Sequence, residues 1–245
     1  MSYNTNIVIP MAGLGSRFQT LGYSLPKPLI DVNGTPMIEK ALETLGVVGN
    51  YYFVIRQDEN AQLIKKVILN RVSNAKFIEI NYVTEGPACS VMLFEDDINN
   101  DSELVVANCD QIMWWNPNLF MWNARASDTD GMVVTYHSTT TKNSYAKLNR
   151  HGYVTEIKEK EVISNTSLNG IHYWKKGKYF VNSVKEMMRL NDRAPNGEFY
   201  VGPSYNHMIR AGLRVGVYHI PVEQHHAVGV PEDLEKYIKL ENENI

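Results

Sequence analysis

Residues 7–18 read IVIPMAGLGSRF, and LPKPLI follows at residues 25–30. The apolar run at residues 7–9 has no alternation of polar side chains, which predicts a strand buried on both faces of a parallel sheet. Gly13 and Gly15 can adopt positive φ angles and leave backbone N–H groups open to an oxyanion. Arg17 and Lys27 add positive charge. The stretch therefore predicts a strand and a loop that handles the phosphates of a nucleoside triphosphate.

The spacing of this loop excludes two well-known phosphate-binding patterns. A Walker loop has Lys and then Ser or Thr directly after its second glycine, whereas Ser16 and Arg17 follow Gly15. A dinucleotide-binding fingerprint has a third glycine where this chain has Phe18. A plain turn between strand and helix fits the two glycines alone, but it leaves Arg17 and Lys27 unexplained.

Composition is that of an ordinary α/β enzyme of one domain. The 245 residues are 44% hydrophobic and 21% charged, with a net charge of −3. This near-neutral balance without a basic stretch argues against nucleic-acid binding. No apolar run approaches the ~18 residues of a membrane span, and no signal sequence is recognisable, so a cytoplasmic protein without membrane association is expected. Two cysteines exclude a disulfide framework and a zinc site of the usual spacing.

Apolar segments alternate with helical patterns along the first half of the chain, as a doubly wound sheet requires. Strands are predicted at residues 7–10, 51–56, 77–82 and 103–108, and helices at 37–45, 62–70 and 88–94. In the second half, strands are predicted at 131–136, 146–148 and 170–174, and helices at 178–190 and 200–211. The fold class is therefore a single-domain, Rossmann-like α/β fold with a mixed, mostly parallel central sheet and helices on both faces.

Asp110 is the best candidate for a metal ligand. It follows the predicted strand at 103–108, and ligands of open α/β sheets gather at the carboxyl ends of strands. A hard carboxylate oxygen there suits Mg²⁺, which takes few protein carboxylates. The alternative is an Asp that caps the following helix or turn. The neighbouring Cys109 lacks an identifiable base that would make it a nucleophile.

The glycine loop, Arg17 and the Pro26-Lys27-Pro28 segment together resemble the sugar-1-phosphate nucleotidyltransferases, also called nucleotide-sugar pyrophosphorylases. Their pattern reads Gly-x-Gly-x-Arg and then Pro-Lys-Pro. The resemblance covers nearly the whole chain and implies a fold of the nucleotide-diphospho-sugar transferase type. It implies one nucleotidyltransferase domain over residues 1–245, in which about 1–125 bind the nucleotide and about 126–245 bind the acceptor.

The resemblance also implies the reaction. A phosphate oxygen of the acceptor attacks the α-phosphorus of a nucleoside triphosphate, and pyrophosphate leaves. Because several phosphates crowd together, such a site needs fixed cations and backbone donors rather than a protein nucleophile. The expected catalytic residues are Arg17, which steadies the triphosphate, Lys27, which contacts phosphate at the reacting centre, and Asp110, which binds the cofactor Mg²⁺.

Two sets of nucleotide-binding residues follow from the resemblance. The phosphate set is Met11, Ala12, Gly13, Gly15, Ser16, Arg17 and Lys27. The base set is Thr84, Glu85, Gly86 and Ala88, for which a tight turn that caps the next helix is the alternative. The base itself is left open between CTP, UTP and dTTP.

The acceptor candidates are Glu159, Lys160, Asn169 and Gly170. The first two match the family's Glu-Lys pair, although alternating charges of this kind are also common on the exposed face of a strand. The chain departs from the family at Ala227, where many relatives have an Asp that serves as a second metal ligand. The adjacent His226 is a poor substitute because imidazole is a weak ligand for Mg²⁺. Water or substrate phosphate is the remaining way to complete the coordination.

These observations favour a Mg²⁺-dependent nucleotidyltransferase that acts on a phosphorylated small molecule, with a sugar 1-phosphate for polysaccharide assembly as the leading acceptor. One alternative is a cytidylyltransferase that uses a non-sugar phosphate such as phosphocholine. Another is a nucleotide-binding module without turnover. A glycosyltransferase ranks lower because Asn108-Cys109-Asp110 replaces the expected Asp-x-Asp. A homodimer is a family-level expectation.

Overall fold

The computed structural model of the chain describes residues 4–243. In the first half the strands are β1 Thr5–Pro10, β2 Asp31–Val32, β3 Thr35–Pro36, β4 Asn50–Arg56, β5 Lys76–Ile80, β6 Glu103–Ala107 and β7 Gln111–Met113. The helices between them are α1 Ser16–Thr20, α2 Met37–Leu45, α3 Ala61–Arg71, α4 Pro87–Met92, α5 Glu95–Ile98 and α6 Pro117–Ala126.

The second half begins with four strands, β8 Gly131–His137, β9 Ser144–Leu148, β10 Val154–Glu159 and β11 Thr166–Trp174. Helices α7 Gly177–Arg189 and α8 Ser204–Arg210 follow. The chain then forms β12 Val215–His219, β13 His225–Ala227 and α9 Pro231–Glu243. No helix within residues 4–243 is both long and apolar enough to cross a lipid bilayer.

Nine strands form the central sheet, in the order β10-β9-β11-β6-β1-β4-β5, with β8 beside β11 and β12 beside β8. Strands β6, β1, β4 and β5 are parallel to one another. Strand β11 is antiparallel to β6, and because β8 and β9 are antiparallel to β11, they run with β6 again. Strand β12 is parallel to β8, and β10 is antiparallel to β9. Of these nine strands, only β10 and β11 therefore run opposite to the other seven. The predicted mixed, mostly parallel sheet is confirmed.

The first strand explains how the sheet is buried on both faces. Ile7 and Ile9 join the apolar cluster on one side of the sheet, and Val8 joins the cluster on the other side. All three side chains are almost completely buried. A strand covered on both faces has no solvent-facing positions, so its sequence shows no polar alternation. Packing on both faces fixes the end of β1, and therefore the loop that follows it.

Several predicted boundaries are wrong by two to four residues. The strand predicted from residue 170 begins at Thr166, the helix predicted over 88–94 ends at Met92, and the helix predicted from residue 200 begins at Ser204. The last difference has a tertiary cause. The N–H of Phe199 donates to the carbonyl of Glu85 at 2.8 Å, and its carbonyl accepts from the N–H of Ala88 at 3.0 Å. These bonds hold the chain before α8 extended against the segment at 85–88.

Candidate active site

The predicted phosphate loop connects β1 to α1 and borders a cavity. Gly15 adopts a φ of +63° directly before α1, as expected, whereas Gly13 needs no positive φ. The cavity has a volume of about 280 Å³. Its wall includes the predicted phosphate-binding residues Met11, Gly13, Gly15, Ser16, Arg17 and Lys27. Ala12 is buried, and its carbonyl accepts a hydrogen bond from Arg56 instead. The structure thus brings Lys27 to the glycine loop.

Lys27 and Asp110 form an ion pair at the edge of the sheet. Lys27 begins a short 3₁₀ turn, Lys27–Leu29, that directly follows Pro26, and Asp110 follows β6. The ammonium donates to Oδ2 of Asp110, and both side chains are about four-fifths buried. Burial is the largest single influence and lowers the pKa of Lys27, but the charge of Asp110, the influence of Cys109 and the hydrogen bond to Asp110 together raise this pKa above its usual value. The lysine is therefore a fixed positive charge at neutral pH.

Gly229 allows this pair to form. A Cβ atom at residue 229 would overlap Oδ2 of Asp110 and lie 3.4 Å from Nζ of Lys27. The segment before α9 is held close to Asp110, because the N–H of Val228 donates to the Asp110 carbonyl at 2.9 Å. Any side chain at residue 229 would therefore displace the carboxylate.

We expect Gly229→Ala to lower kcat/KM by about 100-fold, since a shift of ~1 Å in a reacting group is enough for such a loss. The measurement is pyrophosphate release at saturating nucleotide. The thermal unfolding midpoint serves as the control, and it should change little because residue 229 is partly exposed. Activity within threefold of the unmodified protein would contradict the close packing of residue 229 against Asp110.

Asp110 borders a second cavity, of about 360 Å³. Arg17 and Gly229 border both cavities. The wall of the second cavity includes all four predicted acceptor residues, Glu159, Lys160, Asn169 and Gly170. Residues more than 130 positions apart in sequence thus meet around Asp110, and the acceptor candidates share one cavity with the candidate metal ligand.

The four acceptor candidates differ in whether their polar groups already have hydrogen-bond partners within the protein. Asn169 is buried, with its Oδ1 accepting from the Ile171 N–H at 2.9 Å. Gly170 lies within a bulge of β11 with a φ of +96°. Lys160 follows β10, also at positive φ, and its ammonium donates to the hydroxyl of Tyr200 at 3.0 Å. Glu159 is a buried carboxylate that accepts from the Ser144 hydroxyl.

The predicted base-binding segment lies outside the walls of both cavities, apart from Pro87. The polar side chains of this segment already have partners within the protein. The Thr84 hydroxyl donates to the Gly86 carbonyl at 3.0 Å, and the carboxylate of Glu85 is paired with Arg193 at the surface. Ala88 is buried in α4. The alternative reading as a turn before the helix describes this arrangement, and base recognition by Thr84, Glu85, Gly86 and Ala88 stays a prediction.

Gly86 is the most constrained residue of this segment. It has a φ of +135°, and a Cβ atom there would lie 2.5 Å from the carbonyl oxygen of Phe199. We expect Gly86→Ala to lower the free energy of unfolding by about 3 kcal/mol, because a strained backbone and a backbone overlap add. Urea denaturation measures this loss. A change below about 1 kcal/mol would show that the segment relaxes easily and is not clamped by Phe199.

Sequence reasoning missed several polar residues of the second cavity. Gln111, His172 and His225 line it, and each has a buried side-chain atom without a hydrogen-bond partner within the described residues: Oε1 of Gln111 and Nδ1 of each histidine. Burial lowers the pKa of His172 to about 3 and that of His225 to about 4, so both rings are neutral at physiological pH. Two of the three have a sequence signal, since Gln111 directly follows Asp110 and His225 lies two residues before Ala227.

The residues around Asp110 fit Mg²⁺ in one respect. Among residues 4–243, no group of three or more His, Cys, Asp or Glu side chains is arranged to hold a metal ion. A site with a single carboxylate is still typical of Mg²⁺, which keeps waters and takes substrate phosphates as ligands. Ala227 lies opposite Gln111 in the pairing of β13 with β7 and lines the same cavity as Asp110. The departure from the family at residue 227 therefore falls beside the candidate metal ligand.

Two other candidates are excluded by their surroundings. His226 is absent from the wall of the second cavity, and its ring packs against Trp114 with centroids 4.2 Å apart. It is therefore not placed as a substitute ligand. Burial raises the pKa of Cys109 to about 11, which keeps the thiol protonated and argues against a nucleophilic role.

The chain matches the family model for nucleotidyl transferases over residues 7–206. It is 29% identical over 174 residues to the choline-phosphate cytidylyltransferase of Haemophilus influenzae, a match that covers 69% of this chain and 68% of that protein. A stretch of 45 residues is 53% identical to the 2-aminoethylphosphonate cytidylyltransferase of Lancefieldella rimae and covers 18% of each chain.

Among solved structures, the nucleoside-diphosphate-sugar pyrophosphorylase of Vibrio cholerae RC9 superimposes with a TM-score of 0.81. The match is 21% identical and covers 95% of this chain and 99% of that one, which shows a common fold. The family model spans the phosphate loop, Lys27, Asp110 and the acceptor candidates alike. The chain is therefore a member of the nucleotidyl transferase family and an enzyme of that class.

Proposed function

We propose that this enzyme transfers a nucleoside monophosphate from CTP to a small phosphorylated or phosphonylated molecule, with Mg²⁺ as cofactor. The observation that carries the proposal is the position of the Lys27–Asp110 pair between two cavities. One cavity is built from the glycine loop and suits a triphosphate. The other is walled by polar residues of the second half and suits the acceptor.

In this arrangement the acceptor enters with its phosphate towards Asp110. One of its phosphate oxygens forms a bond with the α-phosphorus of the nucleotide, and the bond from that phosphorus to the bridging oxygen of the β-phosphate breaks. Arg17 borders both cavities and so can contact phosphates on either side of the reacting atom. Lys27 provides a permanent positive charge for the crowded oxygens, which is most effective in a site shielded from water.

Mg²⁺, when bound, supplies the largest positive charge at the site and neutralises phosphate oxygens. Asp110 would hold it, because its side chain accepts only from Lys27 within the described residues and Gly229 leaves room beside it. The surroundings of Asp110 therefore suit a metal that takes most of its ligands from substrate and water.

Cytidine is the proposed base, since the two curated relatives named above are both cytidylyltransferases. Their acceptors, choline phosphate and 2-aminoethylphosphonate, are small molecules with a cationic head group. We propose an acceptor of this class. A sugar 1-phosphate is the second candidate, favoured by the convergence of Glu159, Lys160, Asn169 and Gly170 in the acceptor cavity as the family resemblance implies.

The test is pyrophosphate release with Mg²⁺, using each of CTP, UTP and dTTP against phosphocholine, 2-aminoethylphosphonate and a panel of sugar 1-phosphates. Release with CTP and a cationic acceptor is expected. Release only with a sugar 1-phosphate would support the second candidate. A folded protein that binds nucleotide but releases no pyrophosphate with any pair would contradict the proposed reaction and favour the binding module.

Three further assignments belong to this proposal. The enzyme would act in the cytoplasm, where nucleoside triphosphates are made, and its product would feed surface-polysaccharide assembly. It would form a homodimer, which sedimentation velocity can test.

A further inference from the structure

Glu159 is a buried carboxylate without a counter-ion. It ends β10 and is 9% exposed, with its carboxylate accepting from the Ser144 hydroxyl. No Lys, Arg or His within residues 4–243 forms an ion pair with it. The adjacent Lys160 directs its ammonium to the Tyr200 hydroxyl instead. Because Glu159 lines the acceptor cavity, its uncompensated charge borders the space where a substrate binds.

Glu103 is an equally buried carboxylate of the same molecule whose charge is neutralised by an arginine. It is also 9% exposed, but Arg125 donates to both of its oxygens, at 2.8 and 2.7 Å. Burial acts to raise the pKa of Glu103, yet these bonds and the Thr5 hydroxyl lower it overall. Burial raises the pKa of Glu159, and the Ser144 hydroxyl and the charge of Lys160 do not offset it. A buried charge is costly unless a cation or several hydrogen bonds compensate it.

One further group on the cavity wall, the Gln111 side chain, favours a cation that carries N–H donors. Oε1 of Gln111 is an acceptor that lacks a donor among the described residues. A quaternary ammonium has no N–H and is usually held against the open faces of aromatic rings. The two tyrosine rings that line this cavity are each partly covered. Lys160 Nζ lies 5.1 Å from the ring centre of Tyr200, and the His225 ring packs at a tilt against Tyr136 with ring centres 4.2 Å apart.

We propose that Glu159 binds the protonated primary amine of the acceptor, so that the enzyme selects an aminoalkyl phosphate or phosphonate over trimethylammonium and uncharged analogues. This inference rests on the proposed function, because the cavity that Glu159 shares with Asp110 must be the one that binds the acceptor. It adds the specificity-determining residue and the type of amine.

The experiment compares Glu159→Gln with the unmodified enzyme and with Glu156→Gln as a matched control. Glu156 lies on the same strand, is half-exposed and pairs with Lys158. Binding of 2-aminoethylphosphonate, phosphocholine and 2-hydroxyethyl phosphate is measured by calorimetry with CTP and without Mg²⁺, so that binding is read without turnover. Glutamine keeps the shape of the side chain and its bond with Ser144.

The unmodified enzyme and Glu156→Gln should bind 2-aminoethylphosphonate at least 30-fold more tightly than either analogue. Glu159→Gln should weaken that binding by about 100-fold, as expected when one partner of a buried charge pair is removed. Its affinity for 2-hydroxyethyl phosphate and for CTP should stay within threefold.

Three results would overturn the inference. One is an equal loss for the amine and the hydroxyl analogue, which indicates a structural role for Glu159. The second is phosphocholine binding as tight as that of 2-aminoethylphosphonate. The third is undetectable binding of 2-aminoethylphosphonate to the unmodified enzyme. Absence of pyrophosphate release from an enzyme that still discriminates the amine would instead count against the proposed function alone.

Discussion

Replacing Asp110 by Asn is expected to lower the rate of pyrophosphate release by about 1,000-fold at saturating substrates. The substitution keeps the size of the side chain but removes the negative charge that would hold Mg²⁺ beside the reacting phosphates. Loss of one preorganised electrostatic contact at a reacting centre usually costs two to three orders of magnitude, and loss of a metal ligand falls at the upper end. The measurement is coupled pyrophosphate detection over a range of Mg²⁺ concentrations.

Asp233→Asn is the matched control for this substitution. Asp233 also lines the acceptor cavity, but it lies in the first turn of α9, where Lys236 approaches it at 3.4 Å. An Asp at that position is explained by the helix dipole, so we expect less than a tenfold effect on turnover. Both variants should unfold within a few degrees of the unmodified enzyme. Tenfold or smaller losses in Asp110→Asn would remove Asp110 as the metal ligand and leave a capping role.

Residues near the start of the chain were the most predictable from sequence. The apolar run of β1 indicated two buried faces, which the structure confirms, because that pattern depends on local geometry. The glycine loop borders a cavity as its sequence indicated, and its phosphate-binding role stays a prediction. The metal-ligand role of Asp110 stays a prediction, but its location beyond the end of a buried strand was predictable. The ion pair between Lys27 and Asp110 was not, since it depends on how two segments 83 residues apart approach each other.

The acceptor side was less predictable because its residues come from distant segments. His172 lies just beyond the bulge of β11, and Gln111 and His225 lie on a separate two-stranded ribbon. Their unpaired atoms are recognisable only in the folded structure. The same reason explains the helix predicted from residue 200. Its first residues have helical spacing, but Phe199 pairs with the backbone of another segment.

Replacing Lys27 by Met is expected to lower turnover by about 100-fold and, in the same protein, to tighten Mn²⁺ binding in the absence of nucleotide. The turnover loss follows from removal of a fixed charge at the crowded phosphates. The gain in metal affinity follows from the ion pair, because the Lys27 ammonium occupies Oδ2 of Asp110 where a cation would bind. Methionine fills the space of the lysine stem without the charge, so the packing around it should persist.

The two effects are measured separately, turnover by pyrophosphate release and metal affinity by electron paramagnetic resonance of free Mn²⁺. Asp110→Asn provides the opposite control, since it should weaken Mn²⁺ binding. If Lys27 and the metal compete for one carboxylate, binding of triphosphate and metal must draw the ammonium from Asp110 onto the phosphates. Lys27 would then hold the carboxylate in place until the substrate arrives. Unchanged or weaker Mn²⁺ binding in Lys27→Met would show that the two cations do not share Asp110.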